Sequence, residues 1–355
     1  MKKWMLLISP VLFMGSSVEA WGSRSINTSP AAAYDTHFPM NDDQGWFVEE
    51  SYLLMKPSLG ELEYGDMIFA NAFGASASDF EIKVKKPEFK WNSGVRLGVG
   101  RYLPKHDKWD ISIYTTYLYG DAEDHAHGNL DEFKGLSANY APLLFILSDR
   151  TEAQWHLNYF VWDLMAGRLF AMTRQITVHP YIGLRAALIY DKFISRSSGD
   201  ITVNSSGSLI TESGKTKVSM HQNFWGIGPR VGSNFDFKFT GNWSFLGNFA
   251  TSLLYGHYNV KSTTFSSVTP LNNSFPSKIV ARDKDDVIRI NLEGAIGLGW
   301  ERWFRNNTVR LAPNIQFEGS LWFDMNDFFK PVTVLSQDHG NLGLMGLTFN
   351  LQTDF

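Results

Sequence analysis

Within the last sixteen residues, every second position from Gly343 to Leu351 carries an apolar side chain or glycine, and the segment ends on an aromatic residue. From Gly340 it reads GNLGLMGLTFNLQTDF. The alternate positions are Gly343, Met345, Leu347, Phe349 and Leu351. A period of two places one face of a β-strand in lipid and the other in water. A strand of this kind that stops on Phe355 is typical of the end of a bacterial outer-membrane β-barrel, and we expect Phe355 to form part of the signal that barrel-assembly machinery reads.

The N-terminus has the pattern of a secretory signal peptide. Lys2 and Lys3 precede an apolar stretch at 4–14, and small residues follow as far as Ala20. The sequence predicts cleavage after Ala20, so that residues 1–20 are removed. A retained signal anchor is the alternative, but a bilayer-spanning helix needs about 20 apolar residues. The chain is therefore expected to be exported and to reach the cell outer membrane.

Composition agrees with a barrel wall. Aromatic residues make up 15% of the chain, with 12 tryptophans, and the mean hydropathy is slightly negative at −0.18. This combination suits a wall that faces lipid on one side and water on the other. The formal net charge is −4 and there is no basic patch, so nucleic acid is not an expected partner. Cysteine is absent, so backbone hydrogen bonds between strands must hold the fold together.

Ten segments have the pattern of spanning strands, and the joins between them alternate between short and long. The strands are 46–56, 89–102, 109–119, 154–170, 177–190, 218–237, 243–257, 287–301, 308–323 and 341–355. The long joins are 57–88, 120–153, 191–217, 258–286 and 324–340. Short periplasmic turns and long outer loops are usual in such proteins. The sequence predicts an all-β, transmembrane antiparallel β-barrel of about ten strands at 46–355, preceded by a periplasmic tail at 21–45.

Two features leave the strand pattern open. A hairpin formed by 61–69 and 80–85 within the first long loop would raise the count to twelve strands. The strand at 154–170 alternates poorly, which a β-bulge would explain.

Alternation is clearest in the strands that begin near Phe89, Ile288 and Val309. The positions predicted to face lipid are Phe89, Trp91, Val95, Leu97, Val99, Ile288, Ile290, Leu292, Ile296, Leu298, Trp300, Val309, Leu311, Ile315, Phe317, Leu321 and Phe323. A slip of one residue would place basic side chains in hydrocarbon at a cost of about 2–4 kcal/mol each at mid-bilayer. The register is therefore strongly specified.

Five arginines fall at positions that face the inside of the predicted barrel. They are Arg96, Arg185, Arg230, Arg289 and Arg310, and Lys90, Glu293 and Glu318 share that face. An ionised side chain there must meet water or a charged partner. These eight residues either line a permeation path and set its charge preference, or cross-link a packed lumen. Complete pairing of the arginines with carboxylates would favour the packed lumen, and unpaired arginines would favour conduction.

Two loop motifs contain residues that are candidates for a binding site or a constriction. His125 and His127 follow Glu123 and Asp124, and such a group could bind a divalent ion, but a third fixed ligand is missing and a solvated acidic loop is the expected reading. No metal or cofactor is predicted. The apolar segment 141–147 would either fold into the pore as a constriction or pack on itself within its loop.

The sequence does not predict an enzyme. It contains no G-x-S-x-G motif, and GIGPRVG at 226–232 misses the dinucleotide-binding spacing by one residue. Some ten-stranded barrels are proteases that use Asp and His at the rim. Here His156, His179, His221 and His257 lie on or beside strands without a recognisable acidic pair. A histidine within hydrogen-bond reach of an aspartate near the outer mouth would be needed to support that alternative.

Several longer segments resemble one protein family. They are 46–65, 89–120, 179–193 (HPYIGLRAALIYDKF), 223–232 (NFWGIGPRVG), 242–258 and 342–355. The chain resembles the pore-forming, major-outer-membrane-protein-like proteins of Legionella and environmental chlamydiae. The resemblance implies a porin-like channel or an abundant envelope protein, without catalytic residues. The cysteine cross-links of classical chlamydial proteins are not implied, because this chain has no cysteine.

The expected function is passive diffusion of small hydrophilic solutes or ions. The alternative is a non-conducting structural or adhesive barrel whose loops contact host or envelope partners. The other expected partners are outer-membrane lipid and the barrel-assembly machinery.

Overall fold

A computed structural model describes residues 45–70, 80–103, 109–129, 134–139, 148–205, 208–269, 275–305, 308–330, 336–337 and 339–355. The predicted signal peptide, nearly all of the predicted tail and the segment 141–147 lie outside the described residues. No helix within those ranges is both long enough and apolar enough to cross a membrane.

Ten long strands form a closed antiparallel barrel. They are β1 (Trp46–Leu59), β2 (Asn92–Leu103), β3 (Trp109–His127), β4 (Arg150–Arg168), β5 (Ile176–Ser205), β6 (Ser208–Thr240), β7 (Trp243–Thr269), β8 (Phe275–Trp300), β9 (Val309–Asn326) and β10 (Gly340–Asp354). Each strand pairs with the next along the chain, and β10 pairs with β1. At that seam the backbone N–H groups of Trp46 and Phe355 each donate to the other's carbonyl, at 3.0 and 2.9 Å. The predicted fold class and the count of ten are confirmed.

The twelve-strand alternative is wrong, because the predicted extra hairpin lies outside the barrel wall. Strands Gly65–Ala70 and Phe80–Lys85 do pair, but they join Lys134–Ala138 in a separate three-stranded sheet. The remaining short strands extend the ends of barrel strands or form a small hairpin. They are Glu88–Phe89, Phe170–Ala171, Arg302–Phe304, Phe329–Lys330 and Ser336–Gln337.

Strands β5 to β8 continue far beyond the predicted membrane segments. They contain 30, 33, 27 and 26 residues, and thirty residues at about 3.3 Å each span roughly 100 Å along a strand. An apolar band is only about 25 Å tall. The expected loops at 191–217 and 258–286 are therefore largely strand. Both faces of these extensions are rich in Ser, Thr and charged residues, so they lack the apolar alternation by which a membrane strand is recognised.

The extension of β8 forms the edge of this tall wall. Register between β8 and β9 runs only from Asn291–Trp322 to Gly299–Asn314. Among the described residues, the part of β8 that precedes Asn291 pairs with β7 alone. Residues 282–286 on this edge read RDKDD.

The outer face of the wall carries the predicted apolar belt. Ile288 and Ile296 are 62% and 70% exposed, as expected for side chains that face lipid. The structure corrects the placement of Phe89, which packs against the buried ring of Trp155 with centroids 5.2 Å apart. Residues 90 and 91 belong to no strand, and this break separates Phe89 from the alternation that starts at Asn92.

The half of the barrel interior that lies nearer the long joins is apolar. On β4 the inward side chains of Trp155, Leu157, Tyr159 and Val161 are at most 4% exposed. The strand pairs with both neighbours in continuous register, so the expected bulge is absent from its described residues. Its sequence alternates poorly because apolar residues occupy both the inner and the outer face.

Candidate functional site

Inward-pointing side chains of six strands meet near the middle of the barrel in one group of charges. We call this group the central charged cluster. It consists of Arg96 on β2, Asp163 on β4, Arg185 on β5, Arg230 on β6, Glu293 on β8 and Glu318 on β9.

Arg185 connects opposite parts of the wall. Its Nε and Nη2 atoms donate to the two carboxylate oxygens of Asp163 at 2.7 Å each. Its guanidinium also bonds Glu293, and Arg230 Nη2 reaches the same carboxylate at 2.6 Å. A planar guanidinium with two paired donors is suited to bridging carboxylates in this way. The side chains of Arg185 and Glu293 are only 4% and 10% exposed.

Arg96 forms the second half of the cluster. It makes a two-point contact with Glu318 at 2.5 and 3.1 Å. Its Nε donates to Thr116, and the hydroxyl of Thr348 donates to Glu318 at 2.9 Å. The cluster contains three arginines and three carboxylates, so its formal charge is zero. Each of its arginines has a carboxylate partner, which is the arrangement expected of a cross-linked lumen rather than of a ring of free cations.

The other predicted interior residues lie elsewhere. Arg289 pairs with Asp327 towards the loop end of the barrel. Arg310 lies at the turn end, where its Nε donates to Asp354 at 2.5 Å and its Nη1 reaches Glu301 at 3.1 Å.

Lys90 is not in the interior, which corrects its predicted inward orientation. Its side chain is 52% exposed and pairs at 2.6 Å with Glu123, which is 61% exposed. The cause is the same irregular stretch at residues 90 and 91 that displaces Phe89.

A short segment at the end of β9 enters the apolar half of the interior. We call residues Met325, Asn326, Asp327 and Phe328 the inner segment. Its side chains are at most 4% exposed. The Gln222 amide and the Tyr258 hydroxyl donate to the Met325 carbonyl, and the backbone N–H of Asp327 donates to the Tyr258 oxygen at 3.1 Å. Strands β6 and β7 therefore hold the segment inside the barrel.

Beside the inner segment lies a buried carboxyl group that has no basic partner among the described residues. Asp191 is 2% exposed, and Gln222 Nε2 donates to one of its oxygens at 3.2 Å. It follows Tyr190, beyond the apolar belt of β5. Burial raises the pKa of Asp191 from 3.8 to about 8, because the charged form is poorly solvated there. The group is therefore protonated at neutral pH.

We expect the free energy of unfolding to fall as the pH rises from about 4 to about 8. The folded state keeps the Asp191 proton over this interval, whereas the unfolded chain releases it. The slope from this one group should be at most roughly 1.4 kcal/mol per pH unit. Denaturant unfolding in lipid vesicles between pH 5 and 9 measures it, and Asp191→Asn should flatten the curve. An unchanged curve in that variant would assign the dependence to another group.

The turn end of the barrel contains a cavity of about 280 Å³. Its lining is mainly polar and includes Glu49, Asp110, Tyr114, His179 and Asn248. His179 Nε2 lies 2.6 Å from Asp110 Oδ2, and the Tyr114 hydroxyl donates to Glu49 at 3.0 Å. This cavity provides space for water or a small polar solute below the central charged cluster.

Two histidines near the loop end do lie within hydrogen-bond reach of aspartates. His257 Nδ1 is 3.0 Å from Asp286 Oδ1, but these residues lie on the outer face of β7 and β8. His339 Nδ1 is 2.9 Å from Asp327, whose carboxylate is also bound by Arg289. Both histidines therefore satisfy the His–Asp distance required for a rim protease. Among the described residues, however, neither histidine has a second acidic pair around it.

The two histidines considered as metal ligands lie on a strand, whereas the sequence predicted that they lie in a loop. His125 and His127 lie on β3 rather than in a loop, with ring centroids 5.6 Å apart. Among the described residues, no three His, Asp or Glu side chains are grouped so as to hold a metal ion.

Sequence reasoning missed the acidic partners of the arginines. Asp163, Asp327 and Asp354 bind Arg185, Arg289 and Arg310. Asp354 and Asp163 each occupy a position whose side chain points inward in the alternating pattern of its strand. A count of carboxylates at inward positions would have found these two, whereas Asp327 lies beyond the end of β9, where parity gives no guidance.

One sequence profile matches most of the chain. The family of the Legionella pneumophila major outer membrane protein precursor matches residues 38–355. A search of curated proteins finds no match.

Solved structures of outer-membrane barrels show low similarity. The outer membrane protease OmpT of Escherichia coli is 10% identical, with a TM-score of 0.39 over 88% of this chain and 97% of that one. The toluene transporter TodX of Pseudomonas putida is 9% identical, with a TM-score of 0.29 over 92% of each chain. The transport unit of the Escherichia coli autotransporter AIDA-I is 5% identical, with a TM-score of 0.27 over 92% and 95%. At these scores the likenesses carry no argument about function.

Proposed function

The chain belongs to the Legionella major outer membrane protein family. For this family member we propose an outer-membrane barrel with a closed lumen, which serves as a structural and surface-exposed protein of the envelope. One observation carries the proposal. Large apolar side chains fill the interior above the central charged cluster, where Trp155, Trp322 and Phe193 are fully buried. A lumen built for diffusion would keep water and polar groups at that level.

The pairing of the arginines supports the same proposal. Arg96, Arg185 and Arg230 are neutralised within the cluster, and Arg289 and Arg310 have their own carboxylates. A selectivity ring requires charge that remains available to a passing ion. Here the charges are used to cross-link strands.

A porin-like channel is the second candidate, and the cavity at the turn end favours it. That cavity of about 280 Å³ would form the inner half of a diffusion path for small hydrophilic solutes. To complete the path, the inner segment would have to leave the interior and Arg185 would have to separate from Glu293. The predicted pore-lining role of the interior charges then applies to this open state.

We also propose that the protein is not an enzyme. One histidine–aspartate contact near the loop end lies on the outer face of the barrel, and the aspartate of the other is also bound by Arg289. Among the described residues, neither contact belongs to a pocket with a nucleophile or a second carboxylate pair. Incubation with peptides that contain basic residue pairs tests this, and cleavage lost in His339→Ala would contradict it.

The refolded mature protein is expected to produce no discrete conductance steps in a planar bilayer. The physical reason is the filled interior, and heat-modifiable mobility in SDS gels would verify that the barrel is folded. Arg289→Glu and Arg310→Glu serve as charge variants in the same measurement. Steps whose ion preference moves towards cations in these variants would overturn the closed-lumen proposal and establish the channel.

A further inference from the structure

Five basic side chains form a continuous row across the outer face of β4 to β8. We call His156, Lys192, His221, Lys261 and Arg282 the basic row. Strand register places each one directly opposite the next: His156 pairs with Lys192, Lys192 with His221, His221 with Lys261, and Lys261 with Arg282. Cβ atoms of directly opposed residues lie about 5 Å apart. The five side chains therefore form one surface.

Asp121 lies directly opposite His156 at one end of the row, but within the described strands the lysines and the arginine have no such partner. Among the described residues, Lys192, Lys261 and Arg282 form no ion pair. Partial burial, together with the charges of Lys192 and Lys261, lowers the pKa of His221. Lys261 and Arg282 are directly opposed, and like charges opposed across strands destabilise a sheet, so an external anion would relieve this cost.

The row lies just beyond the apolar belt. On the five strands the last large belt residues are Phe160, Tyr190, Trp225, Tyr255 and Ile288, and the row residue of each strand lies two to six positions from them towards the loop end. With about 3.3 Å per residue and strands tilted by roughly 40°, the row is about 5 to 15 Å above the belt. Lipid headgroups occupy this depth.

Further basic side chains lie on the same outer face, farther from the apolar belt than the basic row. Arg196 pairs in register with Lys217, four positions beyond Lys192 and His221, and Lys215 lies one row further. Arg196 and both lysines border a concave surface that also contains Arg150 and Glu152. On the opposite wall, β1 carries one lysine, Lys56, on its outer face. Strand β1 therefore has no comparable row of basic side chains.

We propose that the basic row binds the phosphate groups of the glycolipid in the outer leaflet of the outer membrane. Lysine and arginine at headgroup depth recognise anionic lipid by charge, and arginine adds paired donors to phosphate. The outward direction of the row and its position next to the apolar belt select a membrane lipid over a soluble anion. The binding is independent of whether the lumen conducts.

Binding of lipid A to the folded full-length protein in detergent tests the proposal, with bisphosphorylated and dephosphorylated lipid A as the two probes. The variant Lys192→Gln/Lys261→Gln/Arg282→Gln should weaken binding of the bisphosphorylated probe by about tenfold or more. The matched control Lys56→Gln/Lys83→Gln/Lys85→Gln removes the same charge elsewhere and should bind like the wild type. Heat-modifiable mobility verifies folding of both variants.

Two results would overturn the proposal. One is equal affinity of the triple variant and the control variant. The other is equal binding of the two lipid A forms by the wild type. Heparin, added as a competitor, distinguishes a soluble polyanion: if the triple variant loses heparin binding but keeps lipid A binding, the row is a site for sulfated glycan instead.

Discussion

Glu293→Gln is expected to destabilise the barrel by about 3–5 kcal/mol, the cost of leaving buried charge unpaired. Glu293 binds Arg185 and Arg230. Without its charge, two buried guanidinium groups share one carboxylate, Asp163, which is 3.8 Å from Arg230 Nε. The effect should be large because the interior around the cluster offers little water to solvate the extra positive charge. Denaturant unfolding in lipid vesicles, extrapolated to zero denaturant, measures it.

A second substitution separates lost charge balance from lost packing. Glu293→Gln/Arg230→Gln restores neutrality in the cluster and should recover most of the lost stability. Glu123→Gln at the exposed pair with Lys90 is the control, and no measurable change is expected there. If Glu293→Gln alone costs less than about 1 kcal/mol, which is the usual range of exposed pairs, the cluster is hydrated and the closed-lumen proposal loses its main electrostatic support.

Trp322→Ala is expected to cost about 3–5 kcal/mol, the range for large buried aromatic side chains. Trp322 is fully buried on the inner face of β9. Its ring packs edge-on against Tyr159 with centroids 6.1 Å apart, and the Arg185 guanidinium lies 6.0 Å from it. Truncation would leave a cavity between the central charged cluster and the apolar core. The same unfolding measurement applies.

An aromatic residue on the water-exposed extension provides the matched comparison. Phe265 is 47% exposed on β7, and Phe265→Ala should change stability by less than about 1 kcal/mol. Trp322→Ala should also remain without conductance, since the inner segment still occupies the barrel. A variant that is as stable as the wild type would mean that the interior around Trp322 is open and filled with water.

The barrel was predictable where its two faces differ in polarity. On β8, Ile288, Ile290 and Ile296 face outward, while Arg289 and Glu293 face inward. Here a period of two specifies both strand and register. The closing pair of β1 and β10 followed from counting the turns, and the structure confirms it.

Prediction was poor where both faces have the same polarity. On β4, inward Leu157 and outward Phe160 are both apolar, so the alternation disappears. The extensions of β5 and β6 are rich in Ser, Thr and charged residues throughout, and their few inward apolar side chains, such as Phe193 and Met220, are too sparse to give a strand pattern, so the sequence predicts loops there.

The inner segment was not predictable either. Met325 and Phe328 are buried by contacts with β5, β6 and β7 that are distant in sequence. Only a short apolar motif, ending in Phe328, marks the segment in the sequence. The arginines of the interior were found by parity, but their pairing depends on carboxylates from other strands.

The edge of β8, which pairs with β7 alone in the described part of the chain, affects how copies of this protein can pack beside one another. An exposed strand edge is a template for adding a strand from another molecule, and two such edges side by side could start an open-ended fibre. Residues 282–286 (RDKDD) place charges of both signs along that edge. A neighbouring copy that docked edge to edge in antiparallel fashion would have to desolvate these charges. The charged edge thus disfavours strand addition between the extensions of neighbouring barrels, even where these barrels lie close together in one membrane.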